Sequence, residues 1–109
     1  MSEQVNHPSH YCKAGRKECI VEMEEKYGVE YTAVFALLSA YKYGYRAGDK
    51  EDNPSERDIG KANWYYGYVT EKLLDKVYRE RLYSDNFNKL YADIGEMLEE
   101  QNRLEDDGK

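Results

Sequence analysis

Cations interleaved with rings are the first chemistry this sequence offers. Lys42, Arg46 and Lys50 recur every four residues through Tyr41-Lys42-Tyr43-Gly44-Tyr45-Arg46-Ala47-Gly48-Asp49-Lys50. On a helix, residues four apart share a face, so Lys42 and Arg46 stand together and Lys50 follows in the loop. Two readings fit. Cations near a helix C-terminus complement the negative end of its dipole and lay their stems over apolar surface. Alternatively, Lys and Arg hold phosphates while Tyr43 stacks on a base. A second constellation is Asp58-Ile59-Gly60-Lys61-Ala62-Asn63-Trp64-Tyr65, where Asp58, Lys61 and Tyr65 fall on one helical flank. Asp58 reads as an acid at a helix N-terminus. It also stands in reach of Arg46, or of a magnesium ion, if the two helices are antiparallel neighbours. Trp64 reads as packing first. A third group, Asn6-His7-Pro8-Ser9-His10-Tyr11, sets polar and aromatic side chains in a segment with no helical or strand period. There His10 and Tyr11 either pack on the helices or, with Asn6, touch a ligand.

Other chemistries are disfavoured. Net charge is −6, whereas a duplex nucleic-acid binder needs a basic face to neutralise phosphates. No apolar run is long enough to span a membrane. No secretory n-region or h-region precedes Cys12 and Cys19, so both read as reduced thiols of a cytoplasmic protein. His7, His10, Cys12 and Cys19 match no common zinc spacing, and no metal ligands are assigned. Glu22-x-x-Glu25 supplies only half of the acidic quartet an all-helical nucleoside triphosphate pyrophosphatase uses to hold magnesium.

The elements that must position these groups are helices. Residues 1–14 read as an extended arm, residues 15–83 as a helical core and residues 84–109 as a C-terminal helix. Cys19, Ile20, Met23 and Tyr27 recur at helical spacing from Arg16, and Gly28 is a natural stop. Tyr31, Val34, Phe35, Leu38, Tyr41, Lys42 and Tyr45 form the stripe expected to be the buried face of the second helix. Ser55, three residues before Asp58, marks the start of a third helix expected to run unbroken from Glu56 to Leu82, with Ile59, Ala62, Tyr66, Val69, Leu73 and Val77 inward. Gly60 and Gly67 mark a bend or a close helix approach there. Ser84-Asp85 caps a fourth helix whose Phe87, Leu90, Ile94, Met97, Gln101 and Leu104 make a heptad seam. The expected fold is an all-α bundle of about four helices in one domain. With 12 tyrosines among its apolar residues the core is thin, and completion by homo-oligomerisation is expected, the C-terminal helix being one candidate element.

Read in order, Asn6-x-Pro8-Ser9-His10-Tyr11, Glu18-Cys19-Ile20, Lys42-Tyr43-x-x-Arg46-Ala47-Gly48-x-Lys50 and Asp58-Ile59-x-Lys61-Ala62-x-Trp64-Tyr65 resemble the signatures of the SaV-like family of small bacteriophage proteins. The likeness covers about residues 5–68 and leaves the C-terminal helix outside. Ser39 departs from it, standing where the pattern has Asn. The family carries a nucleotide-kinase label, so the resemblance implies nucleotide binding and nucleoside monophosphate kinase-like phosphoryl transfer. No Walker motif is present, so side chains must do what a P-loop does. Lys42, Arg46, Lys50 and Lys61 are then the groups that neutralise phosphoryl oxygens. His10 or Asp58 orients the acceptor, and Asn6, Tyr11, Tyr43 and Trp64 complete the ligand contacts. A reading of another class is a non-catalytic phage accessory protein that binds a host or anti-phage defence protein through its acidic, tyrosine-rich surface.

Overall fold

Gly28 divides the first helical segment from the second. Its φ of 98° lies in the left-handed region that a side chain disfavours, and its N–H closes on the Glu24 carbonyl at 2.8 Å. A computed structural model describes residues 18–49 and 55–107, and every regular element in that range is a helix. They are α1 (Cys19–Tyr27), α2 (Val29–Asp49), α3 (Ser55–Leu73), α4 (Lys76–Leu82) and α5 (Asp85–Asp107). The arm expected over residues 1–14 lies outside the described residues.

Among the described residues five helices stand where about four were expected, because the third segment does not run through to Leu82. The Asp75 carboxylate accepts the Val77 N–H at 2.9 Å and caps α4, while Arg79 Nη1 takes the Leu73 carbonyl. A short polar side chain that offers the backbone a local partner competes with the helical ladder, and here it wins. The turn sends α4 back toward the start of α2, where Arg81 meets Glu30 at 3.2 Å. It also rotates Val77 outward, so the expected inward position at 77 is exposed. The next junction is as expected: Ser84 Oγ accepts the Phe87 N–H at 3.0 Å and caps α5.

The second correction concerns α2. The stripe Tyr31, Val34, Phe35, Leu38, Tyr41, Lys42 and Tyr45 is its exposed face. Buried instead are Val29, Ala33, Ala36, Leu37, Ala40 and Ala47, with Thr32 and Ser39 among them. Two apolar stripes run along this helix, one of bulky side chains and one of small ones. The small stripe lets neighbouring backbones approach, which brings more atoms into contact per helix than rings that hold the helices apart. A Cβ at Gly44, on the same small face, would run into Met97 of α5. Gly95 of α5 likewise faces the Tyr66 hydroxyl, whereas Gly67 has open space around it.

α3 lies antiparallel along α2 and buries Ile59, Ala62, Tyr65 and Val69. α5 closes the core with Phe87, Ile94 and Leu98. Its heptad seam meets α2 and α3 of its own chain, Gln101 donating to the Gly44 carbonyl and Asn102 exchanging hydrogen bonds with Asn63. Leu98 shares the buried face with Ile94, while Leu104 at the far end is exposed. α1 is tied down by Glu24, which pairs with Lys72 Nζ at 2.7 Å and accepts the Tyr68 hydroxyl. No helix among the described residues is long and apolar enough to cross a membrane.

Candidate anion-binding site

Tyr43 occupies the last third of α2, one turn before Arg46 and beside the first turns of α3. That antiparallel pairing gathers three cations around one ring. Lys42 Nζ lies 4.7 Å from the ring centre, Lys61 Nζ 5.3 Å and the Arg46 guanidinium carbon 5.7 Å. Each is within the range where the ring's negative face attracts a cation. Tyr65 of α3 stacks on Tyr43 with centroids 6.0 Å apart and planes at 6°, and Trp64 and Phe35 meet Tyr65 edge-on at 5.1 and 5.9 Å. The Tyr43 ring thereby stands between the cations and the Tyr65 ring.

Asp58 is the acidic member. Its side chain is 3% exposed, and its Oδ2 stands 3.8 Å from Arg46 Nε with no hydrogen-bond partner among the described residues. The antiparallel neighbourhood of the two helices therefore pairs Asp58 with Arg46, one of the arrangements the spacing allowed. A buried carboxylate oxygen lacking a donor is costly, and carboxylates so placed normally gain a donor or a cation. Among the described residues Lys42, Arg46 and Lys61 thus gather beside the single carboxylate of Asp58, in a chain whose net charge is −6. Such a gathering of cations suits an anion, phosphate above all, because the groups share one small area and Arg binds oxygen pairs with its planar fork.

The structure thus brings together Lys42, Tyr43, Arg46, Asp58 and Lys61, with Trp64 one ring further away. Asn6, His10, Tyr11 and Lys50 lie outside the described residues. Tyr65, on which Tyr43, Phe35 and Trp64 converge, was legible only as a flank neighbour of Asp58 and Lys61. Trp64 and Tyr65 also line a recess of about 120 Å³ with Glu18, Cys19, Ile20, Met23 and Phe35. That is below the few hundred Å³ that sites for whole small molecules occupy. Among the described residues no three His, Cys, Asp or Glu side chains group closely enough to hold a metal ion.

A second charged cluster escaped the sequence reading. Glu24, Tyr68, Lys72 and Tyr78 join α1, α3 and α4, with Lys72 Nζ 5.3 Å from the Tyr68 ring centre and 4.8 Å from that of Tyr78. Burial opposes ionisation of Glu24, but hydrogen bonds from Lys72 and Tyr68 outweigh it and hold its pKa below the usual value. The Tyr68 hydroxyl is pushed well above the phenolic range by burial and by the Glu24 carboxylate. The spacing of Tyr68 and Lys72, four apart on one helix, was the only trace of this cluster in the sequence.

A family model described as a protein of unknown function, DUF3310, matches residues 5–67 of the chain, more than half of its length. The chain belongs to the DUF3310 family. The DUF3310 match takes in α1, α2 and most of α3, and with them every member of the cluster around Tyr43; α4 and α5 fall outside it. No curated protein and no solved structure matches the chain.

Proposed function

We propose that this DUF3310 protein binds the phosphate groups of a nucleotide at the cluster formed by Lys42, Arg46 and Lys61. The observation that carries the reading is the convergence of three cationic heads on the Tyr43 ring, next to a buried Asp58 oxygen that lacks a donor among the described residues. Phosphate oxygens accept hydrogen bonds from Lys42, Arg46 and Lys61. A ligand hydroxyl or a protonated phosphate oxygen satisfies Asp58, which as a carboxylate can only accept. The same parts suit phosphoryl transfer without a P-loop: Lys and Arg neutralise the transferring group and Asp58 orients the acceptor hydroxyl. Kinase-like chemistry, of the nucleoside monophosphate kinase type and in a phage setting, is the finer form of this proposal and follows the resemblance of the Lys42 and Asp58 blocks.

The test is a thermal-unfolding screen of the full chain against nucleoside mono-, di- and triphosphates, with and without magnesium, followed by incubation of a responding monophosphate and triphosphate pair. A ligand present at a hundred times its Kd adds about 2.7 kcal/mol to stability, which is a shift of roughly ten degrees in a domain this small. The expected result is a rise in Tm with phosphate-bearing ligands that the double variant Lys42→Ala, Lys61→Ala abolishes while its own unliganded Tm stays near wild type. No shift with any nucleotide overturns the binding proposal; binding without interconversion of the pair overturns the kinase form alone.

A second reading has its own support. The bulky exposed face of α2 is the kind of aromatic-rich surface that protein partners use, as an accessory protein contacting a host or defence protein requires.

A further inference from the structure

Along the outside of α2, Tyr31, Val34, Leu38, Tyr41 and Tyr45 alternate at spacings of three and four, and all are exposed. This is a heptad seam. Phe35 flanks it, and Tyr27 extends the same surface across the Gly28 break, where Met23, Tyr27, Tyr31, Thr32 and Phe35 line a shallow depression. From Tyr31 to Tyr41 this helix has no charged residue at all, and Lys42 and Arg46 are the first, in a chain that is 35% charged. The outward residues of α5 show the contrast, for Lys89, Asp93, Glu96, Glu99, Glu100 and Arg103 are all exposed.

We infer that this face is a homodimer interface in which α2 packs against α2 of a second copy. An alternation of three and four keeps one seam turned toward a partner helix, and a seam made of the same residues on both sides is self-complementary, as a two-fold contact requires. The area is sufficient. Tyr27, Tyr31, Phe35, Tyr41 and Tyr45 are between 41 and 77% exposed. At about 200 Å² for a fully exposed ring residue, they alone present on the order of 600 Å². Val34 and Leu38 bring the total close to the roughly 800 Å² each partner buries in a standard stable interface, and above what a monomer usually leaves bare in one patch. The absence of carboxylates across the seam removes the repulsion that two chains of net charge −6 would otherwise meet at close range. The core of the single chain is built on the small face of α2, so the bulky face is free to pair without disturbing the fold. The inference rests on this stripe alone and holds whether or not the Tyr43 cluster takes phosphate.

Sedimentation velocity and light scattering of the full chain, from about 1 to 200 μM, read it directly. The expected species has twice the 12.8 kDa chain mass. Leu38→Glu, at the centre of the seam and half-exposed in the single chain, returns the mass to that of one chain with the helical circular dichroism spectrum retained. Val77→Glu, on exposed α4, leaves the dimer intact. Should Leu38→Glu fail to fold, Tyr31→Glu gives the same reading from a position 77% exposed. A wild-type chain that stays at 12.8 kDa throughout, as when the stripe is covered within the chain or by a different protein, overturns the inference. So does a dimer that survives both folded variants.

Discussion

Glycines show how much a single residue's effect depends on what stands opposite it. Gly67 and Gly95 are both interior to helices, where Gly is weaker than Ala by about 1 kcal/mol. A Cβ at Gly67 meets nothing within 4 Å, so Gly67→Ala is expected to stabilise by about 0.5–1 kcal/mol. At Gly95 the added carbon meets the Tyr66 hydroxyl. That ring stacks on Tyr91 at 4.7 Å and donates to the Tyr91 carbonyl at 3.2 Å, so it has little freedom to withdraw. Gly95→Ala is therefore expected to destabilise by about 1–3 kcal/mol, as overpacking does. Urea unfolding of the two variants against wild type checks both signs. Gly67 was a candidate for close approach from its place in the sequence and has none, whereas Gly44 and Gly95 do, because which glycine faces a neighbour follows from helix rotation and not from its own identity. The same scale explains Tyr43. Its type and its neighbours announced an interaction with cations, while the stacking of Tyr65 on its ring comes only with the fold.

At the scale of elements, α1 is short and buries one residue, Ile20, so its docking depends on the Glu24 contacts with Tyr68 and Lys72. Because the folded-state pKa of Glu24 is depressed, the folded protein prefers the ionised form. The stability this carboxylate contributes is fully present above its ordinary value of 4.5 and is lost as pH falls through the lower folded value. Comparing urea midpoints of wild type and Glu24→Gln across pH checks this. The gap between them is expected to hold near neutrality and to close below pH 4.5. The helical period gave α1, α2, α3 and α5 in order, and Gly28 and Ser84 marked two of their ends. It ran α3 and α4 together because Leu73 and Val77 continue the spacing. What breaks the segment is the Asp75 carboxylate closing on the Val77 N–H, a local competition that apolar periodicity does not register.

For the molecule as a whole, the described helices form a slab 40 by 38 by 20 Å, little more than two helices thick. In so thin a body a long helix has one side against the core and one side bare, and α2 presents its rings on the bare side. Pairing through those rings removes apolar area without pairing charges across the seam, while the two net charges of −6 repel at longer range. Raising salt from about 0.05 to 0.5 M shortens the screening length from more than 10 Å to about 4 Å, so the monomer–dimer midpoint is expected to shift to lower protein concentration. An interface held by ion pairs moves the other way, and sedimentation across the salt series distinguishes them.

The sequence by itself determined that the elements are helices, that Lys42 and Arg46 share a face, and that Asp58 stands near Arg46 if α2 and α3 are antiparallel. Each of these follows from local spacing, which the 3.6-residue period converts directly into geometry. Tertiary structure alone decided which of the two apolar stripes of α2 is the inner one, since a stripe of alanines and a stripe of rings both satisfy the period. The choice lies in how closely α3 and α5 can approach, a property of three helices together. It also decided that Lys61 joins Lys42 and Arg46 around Tyr43, because residues far apart in the chain meet only when the antiparallel register of α2 and α3 is set.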